Sequence, residues 1–432
     1  MRMRIESIKL KNFRCFEDLE VAFHPQLTVI VGKNASGKST ILDAVAIAVG
    51  TYPSAFDGIG NYGIRKEDAR LVTNVYGDSL STDPVYPVSI TCEGTVDDKK
   101  VSWERTLTKS TGRCTLALAK QITNITSTLQ RRIIEGDITA ILPLVAYYGT
   151  GRLWLQHREK KEDVLSNSSR TNGYIDCMDS AANDKLIMNW FSKETNKKLL
   201  KKTGTAAFDA VIIAIEKCIS LLLEEDDVSV SYNFDNNDLD IQYKKGGQDV
   251  VFPLNRMSDG YKCTISLITD IAYRMAQLNP QLREKVLDAT GVVIIDEIDL
   301  HLHPEWQKRI LGDLTSIFPK LQFIVSTHAS SVISSVKSEN LVILNGNKVE
   351  SPNGEIYGKD SNTIHSGVMR SSERPDRIMN MFSDFYDALN DDIEKAKSII
   401  TEIEKLIGTN DSELSSCRTK LALAEIKAGK NK

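Results

Sequence analysis

The residues most able to do chemistry lie near the N-terminus, where residues 32–39 read GKNASGKS. They fit the pattern GxxxxGK[ST], in which backbone N–H groups wrap phosphates, the lysine reaches the β and γ oxygens, and the hydroxyl binds Mg²⁺. A strand pattern precedes the loop and a helical pattern follows it, as such loops require. We therefore predict ATP and Mg²⁺ as cofactors, with Ser39 as a metal ligand and nucleotide contacts from Gly32, Lys33, Asn34, Ala35, Ser36, Gly37, Lys38, Ser39 and Thr40.

Two carboxylates form the second candidate group, in the segment GVVIIDE. The apolar run at residues 292–295 predicts a buried strand, and Asp296 and Glu297 follow at the end where α/β sheets bind their ligands. We predict that Asp296 holds Mg²⁺ and that Glu297 is the general base that orients the attacking water. A strand that merely ends in solvated acids is the alternative, and the upstream phosphate loop argues against it.

A third candidate is His328, the last residue of the segment LQFIVSTH, which begins with an apolar run. A single histidine after a strand is more often structural than catalytic. His328 nevertheless stands where a sensor of the γ-phosphate would lie, so we predict a catalytic role for it.

The elements that must position these residues alternate between strands and helices in the second half of the chain, a pattern typical of a parallel sheet. Residues 51–111 predict an antiparallel sheet with a turn at Asp97 and Asp98. Residues 121–138, 181–200 and 206–223 predict helices. A hairpin with a turn at Gly246 and Gly247 is predicted before residue 253.

Bulk composition excludes several classes of protein. Of 432 residues, 41% are hydrophobic and 26% charged, and no apolar run is long enough to span a bilayer, so we expect no membrane protein. The N-terminus lacks a signal-peptide pattern and the seven cysteines are scattered, which favours a reducing cytoplasm. A net charge of -4 gives no global attraction to nucleic acid.

These segments together resemble the ABC-type ATPase heads of the RecF/SMC/OLD group. The string MSDG at residues 257–260 looks like the signature motif of that group, which binds the γ-phosphate held by the opposite protomer. The resemblance implies nucleotide contacts from Ser258, Asp259 and Gly260, and composite ATP sites in a dimer or higher oligomer. Taken alone, the string could equally be an ordinary helix N-cap.

Four further positions follow from comparison with the same group. IDLHLHPEW resembles the D-loop and places Asp299 near the dimer seam, and the N-terminal hairpin implies nucleotide contacts from Asn12 and Arg14, with a structural role as the alternative. The expected glutamine loop is replaced by AYYGTGRLW, which has no glutamine. Arg152 is predicted to neutralise phosphate charge there, an exposed loop arginine being the alternative.

The resulting fold class is α/β: an ABC-type P-loop ATPase head with a mixed sheet core, an antiparallel β subdomain, a helical insert and a helical C-terminal tail. We predict an N-terminal lobe at 1–155, a helical and β insert at 156–252, a C-terminal lobe at 253–350 and the tail at 351–432. One tail helix carries an apolar face for a partner, for self-association or for simple packing: Ile393, Ala396, Ile399, Ile400, Ile403 and Leu406.

The strings LNRMSDGYK, IDEIDLHLHPEWQ, STHASSVI and YGKDSNTI look like those of the PtuA ATPase family of Septu anti-phage defence systems. This resemblance implies an HNH nuclease partner, DNA contact through the complex, and an ATPase that acts as oligomeric scaffold and gate. The lack of a long heptad series and the short segment after the last strand pair argue against coiled-coil members and an appended TOPRIM nuclease. A RecF-like DNA-repair clamp is the alternative function.

Overall fold

A computed structural model of the chain describes residues 3–151, 169–179, 184–200, 205–352, 354–369 and 374–430. The chain divides into two units, Met1–Lys359 and Asp360–Lys432. The predicted division of the first unit at residues 155 and 252 stays a prediction.

The first unit contains the strands β1 (Met3–Phe13), β2 (Phe16–Ala22), β3 (Leu27–Gly32), β4 (Leu71–Tyr76), β5 (Ser79–Pro84), β6 (Val88–Val96), β7 (Lys99–Leu107), β8 (Leu144–Tyr148), β9 (Ser229–Asn233), β10 (Asp238–Lys245), β11 (Gln248–Pro253), β12 (Gly291–Ile295), β13 (Leu321–Ser326), β14 (Leu341–Asn345) and β15 (Lys348–Glu350). Its helices are α1 (Lys38–Val49), α2 (Lys120–Ile134), α3 (Asp184–Leu199), α4 (Ala206–Leu223), α5 (Asp259–Leu278), α6 (Pro304–Gln307), α7 (Ile310–Ile317) and α8 (Ser330–Ile333). The second unit contains α9 (Ser361–Ile364), α10 (Asp376–Asp391), α11 (Ile393–Ile407) and α12 (Ser412–Lys430).

The central sheet has the strand order β15-β14-β3-β13-β12-β8. Five neighbouring strands, from β14 to β8, run parallel, and β15 pairs antiparallel with β14. Strands β3, β8, β12 and β13 are buried along their whole length, which explains their continuous apolar sequences. The predicted mixed sheet core is confirmed.

A second sheet, of order β2-β1-β6-β7, is antiparallel throughout. Its β6–β7 hairpin turns at Asp97 and Asp98, whose φ values of 53° and 60° are those of the tight turn that the sequence predicts. Helix α1 packs against both this sheet and the central one. The helix that follows the phosphate loop therefore lies between two β layers.

A buried glutamine joins the two sheets. Gln322 of β13 donates its side-chain amide to the carbonyl oxygens of Ile5, at 2.8 Å, and His24, at 3.0 Å, and its Oε1 accepts from the Ile5 N–H at 2.8 Å. The pairing of β1 with β6 shifts register beside Ile5, where regular pairing is interrupted. Gln322 thus satisfies backbone groups that would otherwise lose their partners.

Two smaller sheets complete the first unit: the pair β4–β5 and the sheet of order β11-β10-β9. The turn between β10 and β11 contains Gly246 and Gly247, both with positive φ, as predicted. The expected hairpin in this region gains a third strand, β9, which precedes it in the chain. The predicted helices at 121–138, 181–200 and 206–223 correspond to α2, α3 and α4.

The second unit is built from helices α10, α11 and α12, which share one apolar core. Ala396, Ile400 and Ile403 of the predicted face are buried in that core, so the face serves to pack the helices together. Leu406 is 46% exposed and lies outside the buried part of the face, one residue before α11 ends. Across the described residues of both units, no helix combines the length and apolarity needed to cross a membrane.

Candidate nucleotide-hydrolysis site

The loop between β3 and α1 is built on two glycines that no larger residue could replace. A Cβ on Gly32 would lie 2.7 Å from Ser36 Oγ and 2.8 Å from the Leu344 carbonyl oxygen. Gly37 has φ +93°, and a Cβ there would lie 2.4 Å from the ring of Phe16. The close packing of the loop against Ser36, Leu344 and Phe16 therefore requires glycine at both positions.

Lys38 reaches back across this loop. Its Nζ lies 3.0 Å from the Gly32 carbonyl oxygen and 3.1 Å from that of Lys33, and the residue is 6% exposed. Burial is the main cause that lowers the pKa of Lys38, and the nearby carboxylates, Asp296 foremost, oppose that shift. The ammonium group is thus held over the concave side of the loop, where it can bind phosphate oxygens.

A cavity of about 420 Å³ brings together residues 34–40 of the phosphate loop, the carboxylate pair and His328, but not Gly32 or Lys33. It is lined by Arg14, Cys15, Asn34, Ala35, Ser36, Gly37, Lys38, Ser39, Thr40, Asp296, Glu297 and His328. Within the described residues, the buried hydroxyl of Ser36 has no hydrogen-bond partner. A buried polar group without a partner is costly, so this hydroxyl suits an oxygen-rich ligand such as a phosphate.

The two carboxylates are connected by a residue that the sequence reasoning did not assign to the site. Ser326, at the end of the neighbouring strand β13, donates to Asp296 Oδ1 at 2.5 Å and accepts from the Glu297 N–H at 2.8 Å. Glu297 has φ +48°, which is unusual for a residue with a side chain. The only sequence signal for Ser326 was its place at the polar end of an apolar run.

His328 and Asp299 follow the same strand ends. His328 lines the cavity, and burial first and the charge of Lys38 second lower its pKa. The imidazole is therefore neutral at neutral pH and can both donate and accept a hydrogen bond. Asp299 does not line this cavity; its Oδ1 accepts from Thr327 Oγ1 at 2.5 Å.

Arg14 lines the cavity and is held there by ion pairs that the sequence did not indicate. Its Nη1 lies 2.5 Å from Asp43 Oδ2 and its Nε lies 2.8 Å from Asp68 Oδ1, while Tyr147 donates to Asp43 Oδ1 at 2.7 Å. Asp43 is the only charged residue after Lys38 in α1, and this could have marked it as functional. Asn12 is buried and its side-chain amide donates to the Pro87 carbonyl. This contact fits the structural role that was the alternative to nucleotide binding.

The predicted signature residues lie at the start of α5. Ser258 is the N-cap of α5 without a side-chain capping bond, and Ser258 and Asp259 are both exposed. A Cβ on Gly260 would lie 2.5 Å from the carbonyl oxygen of His301, so this glycine packs against the D-loop segment. In the described part of the chain, none of the three lines the 420 Å³ cavity or the larger cavity next to it, both of which contain Ser39. Arg152 lies outside the described residues.

A larger chamber of about 840 Å³ shares Ser39, Asp296 and Glu297 with the first cavity. Residues 149–151, which replace the expected glutamine loop, are part of its wall, as are Asp43 and Tyr147. Burial, and then the charge of Asp43, raises the pKa of Tyr147 well above its ordinary value, so this phenol stays protonated. Asp296 and Glu297 therefore also face a second space, on the side of β8.

Ser39 and Asp296 are the residues that could hold a magnesium ion. Within the described residues there is no group of three His, Cys, Asp or Glu side chains placed to bind a metal. Mg²⁺ bound with a nucleotide needs few protein ligands, because phosphate oxygens and waters complete its octahedron. An exposed hydroxyl and a carboxylate on one cavity wall supply the hard oxygen donors that this ion prefers.

Residues 7–225 match a family described as "AAA domain", and this match covers more than half of the chain. The chain therefore belongs to this AAA domain family. Residues 191–334 match a second family, described as "AAA domain, putative AbiEii toxin, Type IV TA system". With its complete phosphate loop and carboxylate pair, the chain is a P-loop ATPase.

Among curated proteins, the chain is 26% identical to the Retron Vc95 probable ATPase of Vibrio cholerae serotype O1 biovar El Tor, over 87% of this chain and 80% of that protein. It is also 26% identical to Septu protein PtuA of Bacillus mycoides (strain KBAB4), over 75% of this chain and 38% of that protein. The predicted similarity to PtuA is confirmed.

Solved structures give more distant matches. An SMC head bound to the C-winged helix domain of ScpA has 18% identity and a TM-score of 0.47, and covers 81% of this chain and 98% of its own. The recombination mediator protein RecF, solved in a nucleotide complex, has 14% identity and a TM-score of 0.40, and covers 81% of this chain and 98% of its own.

Proposed function

We propose that this chain is the ATPase of an anti-phage defence system, and that it forms a nucleotide-dependent oligomer that binds and regulates a separate HNH nuclease acting on DNA in the cytoplasm. The names of the retron and Septu relatives support the defence role. The HNH partner, of the PtuB type, follows from the resemblance of the sequence strings to Septu ATPases.

The chemistry proposed for the site is hydrolysis of ATP. The phosphate loop and Lys38 bind the phosphates, and Ser39 and Asp296 hold Mg²⁺, which neutralises phosphate charge when bound. Glu297 takes a proton from the attacking water, and neutral His328 donates a hydrogen bond toward the γ-phosphate. Arg14 and Arg152 contribute positive charge at the nucleotide.

The observation that carries the oligomer is the position of the signature residues. Ser258 and Asp259 are exposed at the start of α5, and neither lines the two described cavities that contain Ser39, which leaves them accessible to a second copy of the chain. A second copy would supply Ser258, Asp259 and Gly260, with Asp299 at the seam, to each bound ATP. One ATP would then join two protomers.

The experiment is co-expression of the chain with an HNH reading frame encoded beside it, followed by co-purification and phage challenge. The proposal requires a stable complex and protection that depends on both proteins and on Lys38. Absence of a complex, together with ATP-dependent binding of the isolated chain to DNA junctions, would instead establish the RecF-like clamp. Short matches support that alternative, such as 51% identity over 43 residues to RecF of Lactococcus lactis subsp. cremoris (strain MG1363).

A further inference from the structure

A third cavity, of about 450 Å³, lies beside residues 61–66, away from the phosphate loop. Three cations line it, Arg65, Lys66 and Arg113, and all three are exposed. No Asp or Glu is among its lining residues in the described part of the chain. Glu67 approaches Lys66 at 3.8 Å, but both side chains are largely exposed, so this pair is weak.

A fourth cation is buried behind the cavity wall. Arg105 is fully buried and donates only to neutral acceptors: Thr51 Oγ1 at 2.9 Å, the Tyr62 carbonyl at 3.2 Å and Asn61 Oδ1 at 3.3 Å. Its Nε has no partner, and no carboxylate pairs with it among the described residues. A buried guanidinium without a counter-ion is costly unless an anion compensates it nearby.

The guanidinium lies directly against the cavity wall. A Cβ on Gly63 would lie 2.7 Å from Arg105 Nη2 and 3.3 Å from Cys114 Cβ, and both Gly63 and Cys114 line the cavity. The field of Arg105 therefore adds to that of the three rim cations. Because low-dielectric walls focus such a field, the cavity attracts anions.

Tyr62, Ile64 and Leu107 add aromatic and apolar surface to a wall that also contains the polar Asn61 and Ser110. An aromatic face beside clustered arginines is the combination that binds a base and its phosphate together. The volume lies within the range of small-molecule sites and suits a group the size of one nucleotide.

We propose that this cavity is a second ligand site, which binds a phosphorylated nucleotide group through Arg65, Lys66 and Arg113 and regulates ATP hydrolysis. A free nucleotide and a phosphorylated end of a nucleic acid share this chemistry. The inference does not depend on the defence role, since it uses ATP turnover only as a readout.

Regulation follows from the contacts that join this site to the hydrolysis site. Asn61, Tyr62 and Arg65 line both this cavity and the chamber that contains Ser39 and Glu297. The Arg65 N–H also donates to Asp68 Oδ2 at 2.8 Å.

The other oxygen of the Asp68 carboxylate, Oδ1, accepts a hydrogen bond from Arg14 Nε, and Arg14 Nη1 donates to Asp43 of α1. A ligand phosphate that moves Arg65 therefore also moves Asp68 and, through Arg14, Asp43. Asp43 belongs to α1, the helix that begins at Lys38.

Binding is tested in a Lys38→Ala background, which disables the phosphate loop, with a fluorescent tetranucleotide that carries or lacks a 5′-phosphate. The phosphate should strengthen binding at least about tenfold, and Arg113→Ala should weaken binding of the phosphorylated probe by a similar factor, because each charge-assisted contact is strong. Lys99→Ala removes an exposed charge at the start of β7, outside the cavity, and should leave affinity unchanged within about twofold.

Equal binding of the two probes, or equal affinity of the Arg113 and Lys99 variants, would overturn the site. Competition by dTMP would identify free nucleotide as the ligand, and its failure to compete would identify a nucleic-acid end. The phosphorylated probe should also change ATP turnover about fivefold or more in the wild type and not in Arg113→Ala. Unchanged wild-type turnover with the probe bound would overturn the regulatory part.

Discussion

Ser326→Ala removes a single hydroxyl that contacts both proposed catalytic carboxylates. The hydroxyl is fully buried, donates to Asp296 and accepts from the Glu297 N–H. Without it, Asp296 loses a donor that orients its carboxylate toward the metal. Glu297 loses the bond that helps to hold its backbone at positive φ.

The size of the effect follows from these two bonds. A hydrogen bond to a charged group contributes about 1.5–3 kcal/mol, and a neutral one about 0.5–1.5 kcal/mol. If about 2 kcal/mol of this total is lost in the transition state, kcat falls roughly 30-fold. Metal-free ATP affinity should change less than about threefold, because the phosphate loop is untouched, whereas the Mg²⁺ concentration for half-maximal rate should rise.

The assay is steady-state hydrolysis as a function of Mg²⁺, together with binding of a fluorescent ATP analogue in EDTA. Thr126→Val is the matched control: it also removes a buried hydroxyl, on α2, but Thr126 lines neither cavity of the hydrolysis site. Both variants should lose similar thermal stability, while only Ser326→Ala should lose turnover and shift its Mg²⁺ dependence. An unchanged Mg²⁺ profile, or an equal loss of turnover in the control, would refute the positioning role.

The other residues of the site give three further predictions. Lys38→Ala should lower ATP affinity at least about 100-fold, measured by nucleotide fluorescence, and undiminished affinity would defeat the role of the phosphate loop. Glu297→Gln should bind ATP normally but hydrolyse it about 10²–10⁴-fold more slowly, so wild-type turnover would exclude it as the base. Ser258→Arg should be inactive alone, yet an equal mixture with Lys38→Ala should recover roughly a quarter of wild-type turnover, because half of the dimers then contain one intact composite site. No recovery in a mixture that forms dimers would show that each chain completes its own site.

The phosphate loop and the carboxylate pair could be predicted because each consists of residues that are contiguous in the sequence. A glycine at position 32 or 37 and a strand that ends in Asp296 each define their local backbone without knowledge of distant neighbours. The same holds for the turn at Asp97 and Asp98, where a two-residue link between alternating segments dictates the geometry.

The supporting network could not be read from the sequence, because its members meet only in the folded chain. Arg14 contacts Asp43 and Asp68, which are 29 and 54 positions away. The positive φ of Glu297 likewise depends on its setting between β12 and β13, which no propensity of glutamate indicates. Residue type alone does not reveal which side chains will meet.

Helix periodicity located the apolar face of α11 but not its limit. Ala396, Ile400 and Ile403 are buried as the 3.6-residue repeat predicts, whereas Leu406 is substantially exposed. Ile407, the next residue, still packs against the core that α10, α11 and α12 share, so Leu406 is exposed because it lies to the side of the buried face.

The position of β3 in the central sheet has a consequence for the order in which the molecule matures during synthesis. Both of its hydrogen-bonded neighbours, β13 and β14, are encoded about three hundred residues later in the chain. The apolar strand that leads into the phosphate loop therefore leaves the ribosome long before either partner exists. Such distant pairing is slow to form and leaves apolar surface open to aggregation. Both neighbours of β3 are present only once residue 345 has emerged, and ligands that bind the folded state then add to its stability.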